Sequence, residues 1–133
     1  MGLFFADPLF ERFAFRALSH APYGGADFGE CFATASQITP GDGDSWFRAW
    51  SATADRVCEI ADACAAAGHA VSAREAWLRA SNYYRTAWLP LFGAPVDPRL
   101  LEAFDREAGA FARAAALMTP AVEAVEIPYE GTT

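Results

Sequence analysis

The chain has 133 residues, is 53% hydrophobic and 20% charged, and sets seventeen acids against ten arginines and no lysine, for a net charge of −7. One domain of this size can bury roughly 65% of its unfolded surface, and its apolar content excludes a disordered chain. The charge excludes a general binder of phosphate backbones or anionic lipid, because the long-range field repels polyanions.

About thirty alanines and a scarcity of β-branched residues predict helices. The first spans about Asp7–Ser19, with Asp7 as cap, Pro8 at the first helical position, and Phe10, Phe13, Ala14 and Ala17 as its apolar stripe. A Pro22–Gly25 turn leads to a second helix, about Asp27–Thr39, with Phe28, Phe32, Ala35 and Ile38 on its inward side. The third, about Ser45–Ala67, is capped by Asp44, buries Phe47, Trp50, Ala54, Val57, Ala61 and Cys64, and ends at Gly68. The fourth starts at Ser72 in a capping box with Glu75; its apolar stripe is too wide for one partner, which predicts a central position, and Pro90 ends it. Asp97-Pro98 opens a fifth helix with Leu101, Phe104, Ala108, Phe111 and Ala115 as its stripe and Glu102–Arg106 as an exposed ion pair. After Pro120, Val122–Tyr129 alternates apolar and acidic residues, the period of a strand. The expected fold class is therefore all-α: about five bundled helices with one short C-terminal strand. That strand has no pairing partner here, so a piece of a longer polypeptide is expected.

Little chemistry is legible. Cys31, Cys58 and Cys64 make no disulfide framework and no CxxC, and read as buried, reduced thiols. His20 and His69 follow helix ends, where a positive capping role outweighs catalysis. There is no GxSxG, no HExxH and no P-loop, so no catalytic residue, metal ligand or cofactor is assigned. The N-terminus has no signal-peptide pattern and no run of ~18 apolar residues occurs, which predicts a cytoplasmic protein without membrane spans. The richest segment is Arg79–Trp88, where aromatics, an amide, hydroxyls and fixed charge share one helix. Such a set suits either a pocket wall for an organic ligand or a plain core with polar edges.

Three stretches resemble a known group. Gly24-Gly25-Ala26-Asp27-Phe28-Gly29-Glu30, Gly41–Trp46 with Trp50, and above all Gly68–Arg85 resemble the N-terminal helical cap region of α/β-hydrolases. That group includes 2,6-dihydropseudooxynicotine hydrolase and the fungal hydrolases that shorten polyketides. Val125–Thr133 is similar to the entry into their catalytic domain. The resemblance implies a helical cap domain over 1–120, with 121–133 as linker and start of the first strand of a catalytic domain. It implies a serine hydrolase acting on ester, acyl or C–C bonds of a small organic substrate, whose triad lies outside these residues. It also implies a partner catalytic domain on the same or a separate chain, and pairing of subunits into a homodimer. Asn82, Tyr83 and Trp88 are expected to face the pocket, followed by Arg85, Trp46 and Trp77. The competing reading is a stand-alone interaction or dimerisation module, with the third and fourth helices resembling one tetratricopeptide unit.

Overall fold

The structure, a computed structural model, describes residues 2–131. Five helices follow in order: α1 (Pro8–Leu18), α2 (Phe28–Ala35), α3 (Gly43–Ala66), α4 (Ala70–Trp88) and α5 (Pro98–Ala115). The all-α bundle expected from composition is what forms. α4 lies at its centre and packs along α3 on one side and α5 on the other. Of its nineteen residues, ten are buried, from Ala73 to Ala87. The wide apolar stripe has the two-sided burial it called for.

The helix starts follow local chemistry. The Asp7 carboxylate accepts from the backbone N–H groups of Leu9 and Phe10, with Pro8 behind it. Asp27 accepts from Glu30 N, and Asp97 from Arg99 N. Gly68 follows α3 at φ 78°, a left-handed conformation open to glycine at little cost. Two starts differ from expectation. Asp42, not Asp44, caps α3, accepting from the N–H groups of Asp44 and Ser45. α4 begins at Ala70 behind His69, two residues before Ser72, and no side chain caps it. The Ser72–Glu75 box is thus absent, because packing on α3 and α5 carries the helix back past its local signal. α2 also stops at Ala35, four residues before Thr39.

The core is a chain of rings. Trp46, at 0% exposure, has its ring centroid 4.8 Å from Phe10, 5.8 Å from Phe13, 5.9 Å from Phe5 and 5.8 Å from Trp50. Trp50 continues it to Tyr83 at 5.5 Å. Trp46 Nε1 donates to the Thr86 carbonyl at 2.8 Å, so the ring joins α1, α3 and the end of α4. Trp50 Nε1 is buried without a partner, an unmet donor whose cost of about 1–3 kcal/mol the packing of its ring offsets.

α5 is strapped across α4 onto α3 by three arginines seven residues apart. Arg99, Arg106 and Arg113 reach Asp44, Asp55 and Asp62 of α3 at 2.8, 2.9 and 2.8 Å. Each guanidinium also lies over a ring, those of Phe47, Tyr84 and Trp77 respectively. Planar, delocalised guanidinium suits both contacts, and lysine would serve them less well. Each ion pair is exposed and screened by solvent, so the straps set register more than stability. The expected Glu102–Arg106 pair forms beside them at 2.7 Å.

Two expected stripes turn inward only in part: Ala35, Ile38 and Ala115 are buried as expected, but the large side chains beside them are not. On α2 the buried residues are Cys31, Thr34 and Ala35, while Phe28 and Phe32 stack on each other at the surface, 5.9 Å and 18° apart. On α5 the buried residues are Ala103, Ala110, Ala114 and Ala115. Leu101, Phe104 and Phe111 stand outside at 59%, 51% and 44% exposure. The reason is steric: α4 presents Trp77, Tyr84 and Trp88, and a helix packing against such bulk fits best through alanines. The expected C-terminal strand is likewise absent among the described residues. Positions 121–128 carry no regular structure and Tyr129 makes an isolated bridge, because a strand needs a neighbour to satisfy its amides. Thr132 and Thr133 lie outside the described residues.

The backbone of the N-terminal segment is tied by one side chain, beside the packing of the buried Phe5 ring. The Glu11 carboxylate accepts from the backbone N–H groups of Leu3, Phe4 and Phe5 at 2.6, 2.9 and 2.9 Å. The amides of Phe5 and Phe4, foremost, hold its pKa below the ordinary carboxyl range. A depressed folded pKa means that the contribution is complete above the unfolded value of about 4.3 and is lost as pH falls through the folded value. The amide resonances of Leu3, Phe4 and Phe5 should therefore shift together in an acid NMR titration, with a midpoint below that of an ordinary glutamate. Glu11→Gln should flatten that titration; an unchanged curve would show that another group holds the segment.

Candidate functional site

The outward face of α5 is the candidate site, and the middle of this helix meets the end of α4 at Glu107 and Trp88. Leu101, Phe104, Ala108 and Phe111 recur at helical spacing and leave a continuous apolar strip exposed. The chain after α5 turns back along this strip, with Val122 N donating to the Ala115 carbonyl at 3.4 Å. Between them lies a groove of about 450 Å³ lined by Ala108, Phe111, Ala112, Ala115, Val122 and Ala124.

Glu107 sits on the same helix, three residues after Phe104 and four before Phe111, so both rings flank it. Its Oε2 accepts from Trp88 Nε1 at 2.8 Å, and its backbone carbonyl accepts from Ser81 Oγ at 3.1 Å. Burial pushes the carboxyl above the ordinary range, against the opposing effects of the Trp88 N–H and the Arg85 guanidinium. Trp88 in turn stands edge-on to the exposed Phe92 ring, 5.8 Å away at 86°.

The six side chains singled out from the sequence fall into two groups. Trp46 and Tyr83 are fully buried, and Asn82 and Trp77 nearly so. Asn82 Nδ2 donates to the Ala17 and Gly25 carbonyls at 3.0 and 2.8 Å, tying the end of α1 to the following turn. Tyr83 donates to Glu30 Oε2 at 2.7 Å and accepts from Asp27 N at 2.8 Å, while Arg79 reaches the same Glu30 oxygen at 3.0 Å. Trp77 Nε1 donates to Asp62 at 2.9 Å beneath Arg113. Arg85 and Trp88 are half-buried at the α4 end, beside Glu107. So the structure brings Arg85 and Trp88 together at the surface and spends the other four on bundle contacts.

Glu107 carried no sequence signal beyond being an acid at the edge of an apolar stripe. Leu101, Phe104 and Phe111 were legible as a stripe but were assigned inward. His20 also differs from the positive cap expected of it. Burial first, then the nearby Arg85 and Arg16 charges, hold its pKa below the ordinary histidine range, which favours neutral imidazole. All three cysteines are free, and burial raises the Cys31 thiol to about 11, far from reactivity at neutral pH. No group of three potential metal ligands occurs among the described residues, and no helix there is long and apolar enough to cross a membrane.

No family model matches the chain. It is 43% identical over 123 residues to the hydrolase LUC6 of Fusarium sp, covering 92% of this chain and 29% of that protein. It is 41% identical over 131 residues to the hydrolase acrC of Aspergillus aculeatus, covering 98% of this chain and 31% of that protein. With the α/β-hydrolase xenA of Xenoacremonium sinensis the identity is 43% over 115 residues, 86% of this chain and 27% of the other. The likeness to fungal α/β-hydrolases drawn from the Gly24–Glu30 and Gly68–Arg85 stretches is thereby borne out. The chain spans about three tenths of the length of these relatives.

Proposed function

We propose that this chain is the cap, or lid, portion of a serine α/β-hydrolase. Residues 1–120 form the cap domain and 121–133 lead into the catalytic domain. The observation that carries this reading is the outward strip of Leu101, Phe104 and Phe111. Apolar surface of that extent on a small domain marks a contact surface. The relatives are hydrolases more than three times as long as the matched region, which leaves ample chain to cover it. The cap would exclude water from the reacting centre and shape the substrate cavity. Ester, acyl or C–C bond cleavage would proceed elsewhere by serine attack with histidine as base. Trp88 and Arg85, half-buried at the α4 end, are the sequence-derived pocket residues best placed to meet a small organic substrate. A separate aromatic cluster, Phe4, Phe28 and Phe32, supports pairing of two such chains as a second contact.

A domain replacement tests the reading. This chain is spliced in place of the matching region of the Fusarium hydrolase, and hydrolysis of 4-nitrophenyl esters is followed beside a version lacking that region. The hybrid should retain activity within about tenfold of the parent, an allowance of ~1.4 kcal/mol for imperfect contacts. The deletion should lose it. A deleted enzyme with parental rate and ester selectivity would overturn the cap assignment.

A further inference from the structure

We infer that α5 is a strap that lifts from the bundle as a unit, by local opening short of global unfolding, and that ionic strength sets how often it does so. The movement belongs to this chain and does not rest on the cap reading. α5 contributes little to the core. The four side chains it buries are all alanines, Ala103, Ala110, Ala114 and Ala115. By contrast α3 buries Trp46 and Trp50, and α4 buries Trp77, Tyr83 and Tyr84. Among the described helices α5 packs closely only on α4. An element with few large buried side chains opens before the rest of a fold.

The seam between α5 and α3 is also incompletely filled. A cavity of about 190 Å³ lies there among Phe47, Ser51, Tyr84 and Arg106. A second, of about 300 Å³, is lined by Trp77, Arg113 and Leu117 at the other end of the seam. A close-packed interior leaves no such space, so α5 forgoes dispersion contacts along this edge. What crosses the seam is charge in water: the side chains of the three arginine–aspartate straps are between 40% and 62% exposed. Salt screens such pairs, since the screening length falls to about 3 Å at 1 M. The ties to α4 that remain are the hydrogen bonds from Ser81 and Trp88 to Glu107. Both connections leave slack, because neither 91–97 nor 116–128 carries helix or strand. One thiol reports the movement. Arg113 Nη2 lies 3.3 Å from Cys58 Sγ and covers it, whereas Cys31, on α2 and at 0% exposure, is sealed inside the bundle.

The test follows amide exchange of this 133-residue chain by mass spectrometry at about 0.05 M and about 1 M NaCl. At low salt the α5 amides should be protected at least about tenfold less than those of α4. High salt should lower α5 protection by a further factor of about five and leave α4 unchanged. Iodoacetamide labelling of Cys58 should rise in step with α5 exchange, while Cys31 stays unlabelled. Arg99→Gln combined with Arg106→Gln and Arg113→Gln should show at low salt the α5 exchange that wild type shows at high salt, and respond no further. The corresponding lysine variant keeps the charges and should keep the salt response, which guards against reading a folding defect as a released strap. Equal protection of α5 and α4 at both salt concentrations overturns the inference. So does a salt response that survives in the glutamine variant, or labelling of Cys31 and Cys58 at one rate, which would mean that the bundle opens only as a whole.

Discussion

Replacing Trp46 with alanine should unfold the bundle or lower its melting temperature by more than about 10 °C. The ring is fully buried and contacts the rings of Phe5, Phe10, Phe13 and Trp50 together. Emptying such a site costs about 3–5 kcal/mol, a large part of the ~5–15 kcal/mol that hold a domain together. The indole donor to the Thr86 carbonyl goes as well. Trp46→Phe should recover most of the packing and leave a cost nearer 1–2 kcal/mol, since the carbonyl then loses its indole partner. Thermal unfolding followed by circular dichroism separates the two. A Trp46→Ala protein that melts like wild type, yet changes ester selectivity in the hybrid with the Fusarium hydrolase, would return Trp46 to the substrate wall that its sequence position suggested.

Charging the α5 face should do the opposite. Phe104→Asp with Phe111→Asp places two carboxylates where the side chains are 51% and 44% exposed in this chain. Surface changes of this kind shift stability by about 0.5 kcal/mol or less each, so the 133-residue chain should melt almost as before. In the hybrid with the Fusarium hydrolase, the proposed cap arrangement would bury the same pair unpaired against the catalytic domain, at several kcal/mol. Hydrolysis should then fall by at least about a hundredfold, which corresponds to ~2.7 kcal/mol. Limited proteolysis should in parallel open the connection after Ala115. Two results would count against the cap: strong destabilisation of the 133-residue chain, which would make the strip part of its own core, or unchanged activity of the hybrid.

Legibility from the residues differed by position. Asp7, Asp27 and Asp97 do as caps what their type and spacing indicate, and Pro8 and Pro98 fix the following turns. These are short-range events in which a carboxylate meets amides two or three residues on. The central place of α4 was legible too, because apolar residues around more than half of a helix need neighbours on two sides. The pocket residues were less so. Asn82 looks like a ligand-binding amide, but its two carbonyl partners, Ala17 and Gly25, are 65 and 57 residues distant in the chain. The Arg99, Arg106 and Arg113 straps have a seven-residue period that can be read in advance, whereas Asp44, Asp55 and Asp62 as their partners depend on how α3 and α5 align over α4.

By itself, then, the sequence determined the helical class, most helix starts, the central helix and the likeness to fungal hydrolases. Only the tertiary structure decided which side of α2 and α5 turns inward. α5 carries two stripes of helical period, one of alanines at 103, 110 and 114 and one of large residues at 101, 104 and 111. Hydrophobicity favours burying the larger stripe, and periodicity cannot choose between them. The rings of α4 make the choice, because bulk on one helix is best met by small side chains on its neighbour. The phenylalanines are left outside, where they form the exposed apolar strip of this chain.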